Sequence, residues 1–144
     1  MYYCFEIPLA PVVKKNSQQI LINPKTKRPF IAQGKRYKDY AKESIQIIRS
    51  QRMPEKPINV PVNVCARFWM PTRRRCDTVN LEEGLWDILV EAGVLADDCR
   101  DIIASDDGSR TYYDKNNPRT EVVITPYEEE YEQWRTLRGV EEFA

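Results

Sequence analysis

Carboxylates stand at both ends of one predicted helix, in a pattern that is suited to a metal ion. Asp77 precedes the helix, and Asp97 and Asp98 occupy the turn after its end. Since helix and turn together return the chain toward the sheet, we expect Asp77 to lie near Asp97 and Asp98. Hydrolysis of a phosphodiester needs a nucleophilic water and relief of charge on the leaving oxygen. Mg²⁺, or alternatively Mn²⁺, held by two or three carboxylates supplies both.

These carboxylates also have a structural explanation. Single carboxylates are common helix caps, and adjacent ones are common in solvated turns, so spacing alone favours a structural role. The neighbouring arginines favour phosphate instead, because Arg73, Arg74 and Arg75 stand directly before Asp77 and its preceding cysteine. Surface ion pairs contribute little stability, whereas guanidinium groups bind phosphate by forked hydrogen bonds. The three arginines are therefore predicted to contact the phosphate backbone of the substrate.

The composition excludes several other kinds of catalysis. The chain has no histidine, which removes serine triads, cysteine–histidine dyads and histidine acid–base chemistry. Its four cysteines are far apart and form no C-x-x-C pair, so neither a zinc site nor a disulfide scaffold is expected. We expect reduced, mostly buried thiols. Any catalysis must rest on carboxylates, lysines or a metal with oxygen ligands.

Charge divides the chain into two halves. Sixteen Lys and Arg stand against four Asp and Glu up to Cys76, and six stand against eighteen from Asp77 onward. A basic first half favours a polyanionic partner, although the two halves could equally neutralise each other in the fold. A basic loop at Lys14, Lys15 and Asn16 is a second predicted contact with such a partner.

Local patterns predict a single domain with a mixed sheet of about four to five strands flanked by helices, an α/β (α+β) fold. The predicted elements are a strand at 3–7, a hairpin at 20–22 and 29–31, a helix at 35–52, a strand at 60–70, a helix from 77 or 78 to Gly93, and strands at 102–104 and 121–125. Residues 1–126 form the predicted domain, and residues 127–144 form a predicted acidic amphipathic helix. No apolar run suits a membrane, and the first residues do not resemble a signal peptide, so a soluble cytoplasmic protein is expected.

The central motif resembles the RusA family of Holliday junction resolvases. In that family, arginines precede D-x-D-N-L-x-K, and a helix ends in an A-G…D-D turn. The resemblance covers roughly residues 3–125. The matching residues here are Arg73-Arg74-Arg75, Asp77, Asn80-Leu81, Asp87, Ala92-Gly93-Val94 and Asp97-Asp98. The resemblance implies a homodimer that binds four-way DNA junctions and makes paired, magnesium-dependent nicks, with Asp77 and Asp98 as catalytic aspartates and Asp97 beside them.

Two positions depart from this pattern and indicate a divergent branch. Val79 stands where the family has its second aspartate, and Glu83 stands where it has an active-site lysine. Helical geometry makes Asp87 the first candidate for a replacement carboxylate, because Asp87 shares one flank with Asn80. Glu83 lies almost opposite the apolar stripe, Glu82 lies on the other flank, and the pair Asp106-Asp107 is a weaker source.

Two functions follow from these residues. The first is a Mg²⁺-dependent, structure-selective endonuclease that resolves Holliday junctions in DNA recombination and repair. The second, motivated by Val79 and Glu83, is a junction-binding homologue that cleaves weakly or not at all. A homodimer is expected in both cases, because the resemblance implies one and the predicted C-terminal helix carries an apolar stripe. For the nuclease, cutting two strands of a symmetric junction also needs two sites related by a two-fold axis.

Overall fold

A computed structural model of the chain describes residues 2–14 and 18–127. The predicted C-terminal helix and the predicted DNA contacts Lys15 and Asn16 lie outside these residues. The elements are β1 (Tyr3–Ile7), β2 (Gln18–Ile22), β3 (Pro29–Gln33), α1 (Lys35–Arg49), β4 (Val62–Met70), α2 (Thr78–Ala92), β5 (Ile103–Ser105), β6 (Arg110–Tyr113) and β7 (Arg119–Pro126). No helix in the described part of the chain has the length and apolar character that a membrane span needs.

A mixed sheet forms the centre of the fold, as predicted. Its strand order is β1-β7-β4-β5, and β6 also pairs with β4. The β1–β7 and β7–β4 pairs are antiparallel, whereas β5 and β6 both run parallel to β4. Parallel neighbours require a crossover connection, and α2 supplies it between β4 and β5.

Alternation along β4 explains which face of the sheet the helices cover. Alternate residues of this strand are fully buried: Val62, Val64, Ala66 and Phe68. They pack with apolar residues of β1, β7, α1 and α2 in one core. Burying such a side chain contributes roughly 1.5–3 kcal/mol, so the register of β4 is strongly specified.

The ends of α2 are fixed by local chemistry. The carboxylate Oδ1 of Asp77 accepts a hydrogen bond from the backbone N–H of Val79 at 3.0 Å, which makes Asp77 the N-cap. Gly93 ends the helix in the left-handed conformation with φ 88°, where other residues are strained. Both caps were predicted from the sequence.

Strand β1 is held to α1 through the side chain of Gln51. The amide nitrogen of Gln51 donates to the backbone carbonyl of Glu6 at 2.8 Å, and its Oε1 accepts from the backbone N–H of Glu6 at 3.0 Å. One amide side chain therefore satisfies both outward-facing backbone groups of this residue.

The alternation of β4 and its aromatic residues predict Trp69 in the core, and the structure corrects this prediction. Trp69 is half-buried on the face of the sheet opposite α1 and α2, where it stacks on Tyr112 at 5.0 Å between ring centroids and lies 3.9 Å from the Arg119 guanidinium. The thiols are free as predicted, but the expectation that most are buried is wrong. Cys4 and Cys99 are exposed, and the other two are half-buried.

Strands β2 and β3 pair with each other in a separate two-stranded ribbon. The backbone turn between them includes Lys27 at φ 55°. Asn23 stabilises it, because its Oδ1 accepts the Lys25 N–H at 2.9 Å and its backbone carbonyl accepts the Lys27 N–H at 2.7 Å. The predicted hairpin is confirmed.

Candidate active site

A cavity of about 920 Å³ between α1 and α2 contains two of the predicted catalytic residues. Asp87 and Asp98 both line it. Four cations also line its wall: Lys14, Lys38, Lys42 and Arg49. Glu91 is the further acidic residue of the lining. The cavity thus combines carboxylates that can hold a cation with cations that can hold phosphate.

Lys14 reaches this cavity from the loop after β1 and forms an ion pair with Asp87. Both side chains are only partly exposed, Lys14 by 27% and Asp87 by 41%. Lys14 was predicted as a DNA contact and Asp87 as a replacement carboxylate. The structure brings them together, so the charge of Asp87 is balanced by a neighbouring ammonium group.

Gly84 makes this arrangement possible. A Cβ at position 84 would lie 3.0 Å from Cε2 of Tyr37 and 3.5 Å from Cβ of Lys14. The Tyr37 hydroxyl donates a 2.9 Å hydrogen bond to the Gly84 carbonyl. Tyr37 of α1, Lys14 of the loop after β1 and α2 itself therefore meet at Gly84. Because Gly84 has no side chain, Lys14 can approach α2 closely.

Asp98 lies among like charges. Partial burial, a hydrogen bond with the Asp97 side chain and the charges of Asp87 and Asp97 raise the pKa of Asp98 above its ordinary value. The Asp97 carboxylate also accepts the backbone N–H of Asp98 at 2.7 Å. Asp87, Asp97 and Asp98 consequently form one electrostatic cluster at the exposed side of the cavity.

Asp77 lies elsewhere. It lines a separate cleft at the start of α2, together with Val13, Arg75 and Asn80. Ten residues of helix separate Asp77 from Asp87, which corresponds to about 15 Å along the helix axis. Asp77 and Asp98 therefore line different clefts, and a shared role for Asp77, Asp97 and Asp98 stays a prediction.

The predicted arginines are all exposed beside this cleft. Arg74 and Arg75 line a groove with Lys35 and Arg36 from the start of α1. Arg73 lies over the Tyr113 ring at 4.2 Å, a cation–π contact that leaves its charge available to solvent. These cations form a continuous basic surface that leads to Asp77.

The donor chemistry of both positions suits a hard divalent cation, which takes oxygen ligands. Within residues 2–14 and 18–127, however, no three carboxylate or thiol groups are arranged as a complete metal site. The like charges at Asp87, Asp97 and Asp98 favour a cation there, and water and substrate phosphate can supply further ligands. The residues of one chain thus fit part of such a site.

One perturbed carboxyl group was not predicted. Glu82 is 7% exposed, and burial together with a hydrogen bond to Asp106 raises the pKa of Glu82 to about 7. A signal for it exists in the sequence, since Glu82 precedes Leu85 and Leu89 by three and seven residues. That spacing places Glu82 at the margin of the core stripe. Glu83, its neighbour, is exposed on the opposite side, as predicted.

Comparison with known families assigns the chain. No protein of curated function matches it. The family profile described as endodeoxyribonuclease RusA matches residues 8–125, a span that includes the arginines, both acidic positions and the whole of α2. Because this match extends over most of the 144 residues, the chain belongs to the RusA family of endodeoxyribonucleases.

Proposed function

We propose that this protein is a magnesium-dependent endonuclease that resolves Holliday junctions by paired nicks, acting in the cytoplasm in DNA recombination and repair. The observation that carries the proposal is the electrostatic cluster of Asp87, Asp97 and Asp98, two of which line a cavity together with several cations, in a chain of the RusA family.

Each group has a separate task in this proposal. Asp98, with Asp97 beside it, would hold Mg²⁺, and a bound ion would lower the pKa of a water molecule and neutralise charge on the leaving oxygen. Arg74 and Arg75 bind the phosphate backbone on the approach to Asp77. Asp87 holds Lys14 beside the site by an ion pair and lies within electrostatic range of Asp98.

A homodimer would resolve the separation of Asp77 from Asp98. The two residues line different clefts of one chain, whereas a shared ion needs an oxygen of each at about 2.1 Å. Two copies related by a two-fold axis can place Asp77 of one copy beside Asp98 of the other. The same symmetry gives two sites, as paired nicks require.

A second candidate function is junction binding with weak or absent cleavage. Val79 is 60% exposed in the first turn of α2, and it cannot bind a metal. If the site is weakened, Val79→Asp should raise nicking several-fold. If the parent is fully active, this substitution should have no effect.

The deciding experiment measures nicking of a synthetic four-way junction with Mg²⁺ and with EDTA. Asp77→Asn and Asp98→Asn should each lower nicking at least about 100-fold while junction binding persists. Asparagine keeps the capping ability of Asp77, so the stability of α2 should change little.

Mixing the two inactive variants then tests the shared site. A heterodimer would regain one site with both aspartates, so nicking of one strand should return, and sedimentation should report about twice the 17.0 kDa chain mass. Failure of the mixture to cleave would show that each site lies within one chain. Full activity of both single variants would refute the proposed site.

A further inference from the structure

The β2–β3 ribbon exposes more apolar surface than a solvated hairpin usually carries. Five of its side chains are 44–77% exposed: Ile20, Leu21, Ile22, Phe30 and Ile31. Register places Ile20 opposite Ile31, and Leu21 opposite Phe30. Neighbouring residues of a strand point to opposite faces, so both faces of the ribbon are apolar. Exposed apolar patches of this kind mark interaction surfaces.

The charge of the ribbon indicates the chemistry of its partner. No acidic residue occurs between Glu6 and Asp39. The cations of the turn are exposed, and so are those at the start of α1, just after β3: Lys25, Lys27, Arg28, Lys35 and Arg36. An apolar surface whose described neighbours in sequence, up to Lys38, carry positive charge alone is complementary to a molecule that carries both phosphates and apolar rings.

The base of the ribbon is continuous with the candidate active site. Gly34, Lys35 and Arg36 follow β3 and line the same groove as Arg74 and Arg75. Arg75 also lines the cleft that contains Asp77. A strand of nucleic acid that passes along these cations toward Asp77 therefore meets the ribbon as well.

We infer that the β2–β3 ribbon is a DNA-binding element whose apolar side chains pack against unstacked bases at a branch point, while its tip cations bind the flanking phosphates. This inference rests on the proposed function in one respect, that the substrate is branched DNA. In a continuous duplex, stacking hides the faces of the bases, whereas a branch point exposes them to apolar side chains. Proteins that bind the minor groove insert apolar side chains between base steps in a similar way and unstack them. The ribbon would thereby distinguish branched from linear DNA.

A second copy of the chain is a poorer occupant. Two ribbons packed against each other would bring together two sets of cations with no intervening carboxylate, because this stretch of the sequence has none. Such like-charge contacts are unfavourable. DNA phosphates neutralise the same groups and release counterions on binding.

The test compares binding of the full chain to a four-way junction and to linear duplex of equal length, with EDTA present so that nothing is cleaved. The double variants Ile20→Ser/Ile31→Ser and Leu21→Ser/Phe30→Ser each remove one cross-strand apolar pair, on opposite faces of the ribbon. Each should lower the preference for the junction about tenfold, the scale expected when stacking on one base is removed. Because the altered side chains are exposed, thermal unfolding should be unchanged.

Val60→Ser is the matched control. Val60 is 53% exposed and lies just before β4, at the opposite end of that strand from the arginines, so the junction preference should stay within about twofold. Replacing Lys25, Lys27 and Arg28 by Gln should weaken binding to both DNAs alike. The slope of log affinity against log salt should become shallower by about 0.9 for each phosphate that the protein no longer neutralises.

Two results would overturn the inference. One is an unchanged junction preference in both double variants. The other is conversion of a dimer to a monomer by the same substitutions with no change in preference, which would make the ribbon a contact between copies. Since the binding assay uses no metal, loss of preference supports the ribbon even if Asp77→Asn and Asp98→Asn cleave normally and the proposed catalytic site is refuted.

Discussion

The two flanks of α2 carry carboxyl groups in opposite surroundings. On one flank, Asp87 is partly exposed, pairs with Lys14 and faces Asp98 across a cavity lined by further lysines. On the other, Glu82 is 7% exposed and shares a hydrogen bond with the carboxyl group of Asp106. Both flanks carry carboxyl groups, and the helix is the same. The environment alone decides which group is available as a charged ligand.

The physical difference lies in burial and in the neighbouring cations. Burial, followed by a hydrogen bond and charge repulsion from Asp106, raises the pKa of Glu82 to about 7. Asp87 has an ammonium partner and access to solvent. We therefore expect the Asp87 flank to serve the reaction and the Glu82 flank to affect stability only.

The largest expected effect separates the flanks by activity. Asp87→Asn should lower Mg²⁺-dependent nicking of a four-way junction by about 10–100-fold, the range found when groups that support metal ligands are removed. Asp106→Asn is the matched substitution on the other flank and should change nicking less than about twofold. Equal losses in the two variants would show that the flanks are not functionally distinct.

A smaller effect concerns stability and pH. The raised pKa means that folded Glu82 retains a proton between about pH 4.5 and 7, where the unfolded chain has released it. Its contribution to stability is therefore fully present below about pH 4.5 and is lost as the pH rises through 7. Glu82→Gln should remove this dependence and stabilise the fold at pH 8 by about 2 kcal/mol, with little effect at pH 5.

Denaturant unfolding at the two pH values measures this difference. Glu83→Gln, at the exposed neighbouring position, is the control and should change stability by less than about 0.5 kcal/mol at either pH. If Glu82→Gln destabilises the protein at pH 8, Glu82 is held in its charged form by an interaction that favours the carboxylate.

The smallest expected effect concerns Lys14. Lys14→Met removes the positive charge beside Asp87 and leaves the local potential more negative. The Mg²⁺ concentration for half-maximal nicking should then fall about threefold, in keeping with the modest strength of a partly exposed ion pair. Lys38→Met, in the same cavity on α1, is the control for a general loss of positive charge. A higher Mg²⁺ requirement in Lys14→Met would assign the lysine to substrate binding alone.

The sequence was sufficient for elements with strong local signals. Alternation identified β4, the apolar stripe and both caps identified α2, and the turn residues identified the hairpin. Strand β6 was missed because it has only four residues, Arg110–Tyr113, of which two are exposed. Its pairing depends on the neighbouring β4 rather than on a pattern of its own. Gly108, with φ 88°, lies between β5 and β6 and lets the chain bend around Cys65.

The candidate site was less predictable because it depends on distances across the fold. Asp77 and Asp98 were identified from the family pattern, but no pattern in the sequence indicated that they line different clefts. The pairing of Lys14 with Asp87 requires the approach of a loop to Gly84, and no local pattern specifies that contact. The buried state of Glu82 depends likewise on the tertiary position of Asp106.

The hydrogen bonds of Gln51 to Glu6 have a consequence for association between molecules. A terminal strand of a sheet exposes backbone groups that can recruit another chain and start aggregation. Here the Gln51 amide occupies both groups of Glu6 on β1, and the opposite border of the sheet is split between β5 and β6. Among residues 2–14 and 18–127, neither border of this sheet offers a long unpaired strand, so its extension by another chain is disfavoured. Copies of this protein should therefore associate through side-chain surfaces, which can be matched to the symmetry of a substrate.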